Sequence, residues 1–435
     1  MGENVSAVIL AADDAPAMQS AVPAVLHSVC GRRILDYVVN AAGQVAGSRP
    51  VVVVHGDGGC IREHLGESCR IVDSAEGKDS VSGLFRMEEC TGEEPCGVLF
   101  VLAGNMPLIR GTTLEGMLQF TSENHLTAAV LSGESPESGG NGISPVYCFD
   151  RRALRKAVRE GQKSMEQETL GPEDILRILK ASGERTGVFR IRDTREIMTV
   201  SDRVCLSRAE AEMRRRINEF HMMRGVTILD PSATYIGADV RIGKDTVVYP
   251  GNVLEGFTVV GSGCLLYPNN RLQNAEIADG TILQSSVVLD SRIGSGTTVG
   301  PYAYIRPGSR IGDHVRIGDF VEVKNSTIGN KTKVSHLTYI GDADLGQEIN
   351  VGCGVVCVNY DGKEKHRTVI GDHAFVGCNA NLVAPVEVEG HTFIAAGSTI
   401  TEKVPAGALA IARARQVNKK GWVEKREQKK TEEKE

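Results

Sequence analysis

Apolar positions in this chain follow two rhythms. In the second half an aliphatic residue followed by glycine recurs at short intervals: Ile236-Gly237, Ile242-Gly243, Ile293-Gly294, Val299-Gly300, Ile311-Gly312 and Ile317-Gly318. The series continues with Ile340-Gly341, Val351-Gly352, Ile370-Gly371 and Val376-Gly377. Many neighbouring pairs are six or twelve residues apart. So short a period predicts a parallel β-helix of hexapeptide units, each a short strand and a tight turn. One aliphatic side chain per unit points inward and stacks on those above and below. Three units close a triangular coil of roughly eighteen residues. The glycine suits a turn where a Cβ would crowd the backbone or φ must be positive. A β-sandwich with coincidental glycine spacing fits less well, because sandwich turns come every ~8–12 residues.

The first 200 residues alternate strands and helices instead. Strands are expected at Val5–Leu10, Pro50–Val54, Val98–Leu102, Ala128–Leu131 and Val146–Phe149, and helices at Ile34–Val45 and Thr113–Thr121. That order predicts an α/β layer with a mainly parallel sheet. Ligands of such sheets bind beyond the carboxyl ends of the strands, here Ala11–Met18 and Ala103–Leu108. A helix from about Arg203 to Arg224, with Ala209, Met213, Ile217 and Phe220 on one face, is read as the link to the solenoid.

Composition narrows the classes. A net charge of −6 gives no reason to expect nucleic-acid binding. Eleven cysteines, without CxxC pairs or His-x-x-x-His spacing, point to reduced thiols in a cytosolic protein and away from a zinc site. Met1 to Ser6 lack a basic signal-peptide start, and no apolar run reaches the length of a membrane span. The charged tail Glu424–Glu435 is expected to be frayed.

Motifs in the solenoid half carry a resemblance. They are Ile305-Arg306-Pro307-Gly308, then Gly318-Asp319-Phe320-Val321-Glu322-Val323-Lys324, then His336-Leu337-Thr338-Tyr339-Ile340-Gly341-Asp342. Ile349-Asn350-Val351-Gly352, Asn359-Tyr360-Asp361-Gly362 with Lys365, Ala395-Ala396-Gly397 and Ala410-Ile411-Ala412-Arg413 follow in order. Together with the α/β half, the series resembles the bacterial bifunctional N-acetylglucosamine-1-phosphate uridyltransferase / glucosamine-1-phosphate N-acetyltransferase family. The resemblance implies a nucleotidyltransferase-like (Rossmann-like) domain over 1–202 and a linking helix over 203–226. A left-handed hexapeptide β-helix over 227–415 and a charged tail over 416–435 complete the expected organisation.

It also implies a reaction: acetyl transfer from acetyl-CoA to the amine of glucosamine 1-phosphate, on the way to UDP-N-acetylglucosamine for peptidoglycan. His336 matches the catalytic base, a residue type suited to proton transfer near neutral pH. Glu322 is placed to orient or charge-balance that imidazole. Arg306 and Lys324 match the phosphate-binding pair, with Lys365 a third cation, and Arg can grip phosphate through two parallel hydrogen bonds. Tyr339 and Asn350 match sugar contacts. Asn359, Tyr360, Ala396 and Arg413 match acetyl-CoA contacts. Cys353 and Cys378 stand at cofactor positions where the family commonly has alanine and serine, so a changed rate or cofactor affinity is expected there. The break in the repeat at Asn359–Thr368 matches a loop that reaches a neighbouring subunit, implying a homotrimer.

The α/β half departs from its family pattern. L-A-A-G-x-G-T-R-M becomes Leu10-Ala11-Ala12-Asp13-Asp14-Ala15-Pro16-Ala17-Met18, and P-K-x-L becomes Pro23-Ala24-Val25-Leu26. The glycines that let backbone N–H groups approach phosphates are gone, as are the cations that neutralise the transferring phosphoryl group. Asp13 and Asp14 would repel a triphosphate. The family's Mg²⁺ ligands are Asn105 and Ser201, so Mg²⁺ is not expected. Asp73–Asp79 replaces the uracil-binding segment, a deletion falls near Glu134–Gly142, and Ile143 stands for a substrate-contacting Asn. The expectation is a nucleotidyltransferase-like domain that keeps its fold and has lost its reaction. Left open are another substrate in that pocket, retention of both activities, and a non-catalytic sugar-phosphate-binding scaffold.

Overall fold

The computed structural model describes residues 4–11, 15–54, 58–73, 97–133, 142–164 and 171–432. Asp13 and Asp14, nearly all of 73–79 and nearly all of the 134–142 deletion lie outside them, as does the side chain of Ile143. The chain divides into two compact units: Met1–Phe220 with Ile236–Ala238, and His221–Tyr235 with Asp239–Glu435.

The first unit is a seven-stranded sheet between helical layers. Its strands are β1 (Val5–Leu10), β2 (Val51–Val54), β3 (Arg70–Asp73), β4 (Val98–Ala103), β5 (Ala128–Gly133), β6 (Gly142–Asp150) and β7 (Thr186–Ile191). The order is β3-β2-β1-β4-β6-β5-β7. β6 runs antiparallel to both neighbours and the other pairings are parallel. The near-continuous apolar runs of β1 and β2 follow from burial on both faces. Alternate residues serve opposite layers. Ala7, Ile9, Val52, Val54, Phe100 and Leu102 pack with Leu35, Val38, Leu114 and Met117, from helices α1 (Ile34–Val45) and α3 (Gly111–Glu123). Val8, Val51, Val53, Leu99 and Val101 pack with Leu154, Val158, Ile175 and Leu179, from α4 (Arg151–Ser164) and α5 (Pro172–Ala181). Helix α2 (Gly59–Leu65) adds Ile61 and Leu65 to the first layer.

Helix α6 spans Arg203–Met222 and ends two residues short of the expected boundary. Ala209 and Met213 are buried with Met18, Ala24, Ile34, Leu108 and Val200, and Ile217 packs beside them. Up to Phe220 it therefore groups with the first unit and closes over the loops at the strands' carboxyl ends. Phe220, expected on the packed face, is 50% exposed.

The second unit is the predicted left-handed β-helix. Its short strands assemble into three all-parallel sheets of eleven, ten and nine strands, each strand pairing with the one three further along the chain except at the C-terminal end, where Phe393–Ile394 pairs with Leu409–Ala410, two further along. Inward columns run Val299-Ile317-Val334-Val351-Val376-Ile394, Ile305-Val323-Ile340, and Ile293-Ile311-Ile328-Leu345-Ile370-Val388. For most of the glycines after the aliphatic residue the explanation is close approach, not φ; Gly300, with φ of 105°, is the exception. A Cβ on Gly352 would lie 2.6 Å from the Cys378 amide nitrogen, and one on Gly318 would collide with the Ser335 carbonyl. Positive φ is carried elsewhere, by Phe320, Asn325, Leu337 and Asp342 among others.

The tail differs from expectation. Trp422–Glu432 forms helix α7 rather than a frayed end. Its Glu, Lys, Arg and Gln residues are strong helix formers, and Arg426 lies over the Trp422 ring at 5.2 Å.

Candidate active site

Consecutive coils place residues about one turn apart in sequence directly above one another. This geometry, not chain proximity, builds the candidate site. At the corner between the eleven- and ten-stranded sheets, Asp319 and His336 are register partners. Val334 pairs with Val351, Val351 with Val376, and Val376 with Ile394. The same corner column therefore reads Asp319, His336, Cys353, Cys378, Ala396. Arg413 lies beside the end of this column: a Cβ on Gly397 would lie 3.9 Å from the Arg413 Cδ.

His336 Nδ1 lies 2.6 Å from Asp319 Oδ1. The hydrogen bond from His336 holds the Asp319 carboxyl below its ordinary value, so the carboxylate can only accept. Nδ1 therefore carries the hydrogen, so that Nε2 is the ring nitrogen able to accept a proton. The expected partner of this imidazole was Glu322, and the structure corrects that. Glu322 pairs instead with Arg306 Nη1 at 2.8 Å. The reason is register: Glu322 is one unit further along, on the face of the ten-stranded sheet, where Arg306 stands one coil below the neighbouring position. Asp319 was missed because it precedes His336 by 17 residues, a spacing that means contact only once the coil length is known.

The ten-stranded sheet gathers most of the predicted sugar and phosphate residues on its outer face. Tyr339 is the register partner of Glu322, and Lys324 that of Gly341. Lys324 donates to Asp342 Oδ2 at 2.8 Å. Asn325 donates to Asp342 Oδ1 at 2.7 Å, and Asn359 donates to Oδ2 and, at 3.5 Å, to the Tyr339 hydroxyl. Burial pushes the Asp342 carboxyl up, but these three donors outweigh it and hold it at about 2. Asp342 in turn raises Lys324, while the ammonium of Lys324 pushes the nearby Lys365 down. Arg306, Lys324 and Lys365 thus form a cationic group held in place by Glu322 and Asp342. The sequence reading missed Asp342 as an organiser, although it ends the motif that begins at His336.

Other predicted residues are not brought together in one chain. Asn350 projects from the eleven-stranded sheet, between Lys333 and Phe375. Asn359 and Tyr360 start a loop at the opposite edge of the ten-stranded sheet from the Cys353–Cys378–Ala396 corner. That loop folds on itself: Asp361 caps the Lys363 and Glu364 amides, His366 reaches Asp361 at 2.8 Å, and the Tyr360 hydroxyl donates to the Gly362 carbonyl.

In the first unit Ala15 has a φ of 34°, in the region that favours glycine. Asn105 is buried, with its Nδ2 3.4 Å from the Val200 carbonyl. The positions of Asn105 and Ser201 are thereby adjacent through Val200. Ala24 is fully enclosed. Among the described residues no group of three or more His, Cys, Asp or Glu side chains is placed to hold a metal ion. No helix there is long and apolar enough to cross a membrane.

Two family models match the chain: a MobA-like NTP transferase domain over residues 7–186, and a bacterial transferase hexapeptide (six repeats) over residues 290–325. The chain is 44% identical to the Bifunctional protein GlmU of Clostridium novyi, covering 97% of this chain and 98% of that one. It is 41% identical to the Bifunctional protein GlmU of Clostridioides difficile, over 98% and 99% of the two chains. Among solved structures, a 4-diphosphocytidyl-2C-methyl-D-erythritolsynthase from Anaerococcus prevotii superposes with a TM-score of 0.41 at 13% identity, over 49% of this chain and 100% of that one.

Proposed function

Because the chain belongs to the GlmU family, we propose that its solenoid half transfers the acetyl group of acetyl-CoA to the amine of glucosamine 1-phosphate. The observation that carries this reading is the Asp319–His336 pair, set in one column with Cys353, Cys378 and Ala396, with Arg413 beside its end. His336 Nε2 accepts the amine proton as nitrogen adds to the thioester carbonyl. Asp319 holds the ring in the required tautomer and balances the imidazolium that forms. Such general-base help is worth ~10²–10⁴ in rate. Arg306, Lys324 and Lys365 bind the sugar phosphate, and Glu322 and Asp342 fix two of those cations in advance. Tyr339 and Asn350 hold the sugar. Asn359 and Tyr360 steady the thioester or its oxyanion, and Arg413 meets the CoA phosphates.

The cofactor residues occupy two edges of one protomer. We therefore assign the working form as a homotrimer, in which the loop beginning at Asn359 completes a neighbour's site. Light scattering on the full chain tests this, and a catalytically active monomer would refute it.

The first unit, in this reading, has lost uridyl transfer. Mg²⁺ is usually held through one or two protein carboxylates plus substrate phosphates. Asn105 and Ser201 offer an amide and a hydroxyl, so the pair does not fit Mg²⁺ and no step is assigned through it. Ala17 and Ala24 leave the transferring phosphoryl group without its cations. The relatives are called bifunctional, and retention of a second reaction is the reading to be excluded. The experiment has two arms. Acetyl-CoA with glucosamine 1-phosphate should give acetyl transfer that His336→Ala abolishes. UTP, N-acetylglucosamine 1-phosphate and Mg²⁺ should release no pyrophosphate. Absence of the first, or robust turnover in the second, would overturn the corresponding half.

A further inference from the structure

Cys353 and Cys378 are 25 positions apart in the sequence but are neighbours in space. The loop after Asn359 accounts for the extra residues, and the coil closes again in register. Val351 pairs with Val376, and the Asn379 amide donates to the Cys353 carbonyl at 2.8 Å. Cys353 and Cys378 therefore occupy equivalent positions on successive coils. Strands of one sheet lie about 4.7–4.9 Å apart. That spacing falls within the ~4.4–6.8 Å between Cα atoms that a disulfide spans. Both thiols are free, Cys378 exposed and Cys353 partly so. Cys357, the next cysteine along the chain, is fully buried, and burial pushes its thiol up to about 12.

We propose that Cys353 and Cys378 form a dithiol site that low-molecular-weight disulfides oxidise to an intrachain bond, and that this bond closes the acetyl-CoA edge of the site. The second clause rests on the acetyltransferase reading; the first does not. The exposed Cys378 thiolate attacks one sulfur of the reagent and expels a thiolate, leaving a mixed disulfide. The Cys353 thiolate then attacks the Cys378 sulfur and expels the second reagent thiolate. Two protein thiols are oxidised and one reagent disulfide is reduced to two thiols, which take up the two protons. The column position gives the consequence. Cys353 follows His336 and Cys378 precedes Ala396, so the new bond ties together the two coils between the base and the cofactor end. The coil backbone is held by hydrogen bonds above and below, so the side chains must turn to meet. Two thiol hydrogens, the only side-chain donors at these positions, are lost.

The test treats the full chain with bis(2-hydroxyethyl) disulfide, then alkylates and digests it with trypsin. Cleavage after Lys363, Lys365 and Arg367 separates the peptide holding Cys353 from that holding Cys378. The expected result is a linked peptide pair, on a chain that runs as a monomer in a non-reducing denaturing gel. Cys353→Ala and Cys378→Ser should each remove the link. Acetyl transfer should fall more than tenfold on oxidation and return with dithiothreitol, while Cys378→Ser, which lacks the thiol the reagent meets first, should keep its own untreated rate. Stable mixed disulfides without a link, a link between chains, or a link surviving in Cys353→Ala would overturn the dithiol site. A link that leaves acetyl transfer unchanged would overturn the closure. A reduced protein with no acetyl transfer at all would instead sink the enzymatic reading, and peptide mapping would still decide the thiol pair.

Discussion

Replacing Asp342 by Asn removes one charge while keeping the shape of the site. Asp342 has φ of 48°, a conformation that Asn also tolerates well, so backbone strain is not introduced. The side chain is only 7% exposed and accepts from Lys324, Asn325 and Asn359. Lowering the carboxyl from 3.8 to about 2 corresponds to roughly 2.4 kcal/mol of preference for the charged form in the folded state. The sign follows from the depression. This stabilisation is present above the ordinary carboxylate value and is lost as pH falls through about 2. Asp342→Asn should therefore open locally with a cost about 2 kcal/mol lower at pH 7, or roughly thirtyfold faster hydrogen exchange. Mass spectrometry of the peptides around Ile340–Leu345 reads this directly, as the ratio of variant to parent rates at each pH. The ratio should shrink below about pH 4 and fall to a few-fold or less near pH 2, where the parent carboxyl is itself half protonated. A ratio near one at pH 7, or one that stays constant down to pH 2, would refute the reasoning.

Other outcomes test neighbouring parts of the site. His336→Ala should lower kcat for acetyl transfer by about 10²–10⁴-fold. Asp319→Asn should also lower kcat, by up to about 10⁴-fold, because an amide can donate to Nδ1 and hold the wrong tautomer; steady-state kinetics check both. Arg306→Ala or Lys324→Ala should chiefly raise KM for glucosamine 1-phosphate, with the acetyl-CoA KM little changed. Gly318→Ala should destabilise the solenoid by roughly 1–3 kcal/mol, since its Cβ meets the Ser335 carbonyl, and thermal unfolding would register the loss.

Much of the fold was legible in one dimension because its physics is periodic. A six-residue recurrence of one aliphatic side chain has few solutions other than a coil that stacks it, and the inward columns are those residues. Five of the seven strands of the first unit were likewise visible as apolar runs; the two edge strands, β3 and β7, were not. What periodicity could not give was the reversed direction of β6, which depends on the connections around it. Nor could it show the role of α6, whose Ala209 and Met213 seal the first unit. Phe220 fits the same stripe, yet stays half exposed because the helix has by then passed the surface it covers.

The sequence by itself determined which chemistry the chain carries: an imidazole, three cations and a set of cofactor-matching residues, at the breaks of a hexapeptide repeat. Tertiary structure alone decided which of these touch. Contact in a solenoid runs along columns, so a residue's neighbour is one coil away rather than a few positions away. That is why Asp319, not Glu322, holds His336, why Asp342 gathers Lys324 and Asn359, and why two cysteines 25 positions apart share one corner.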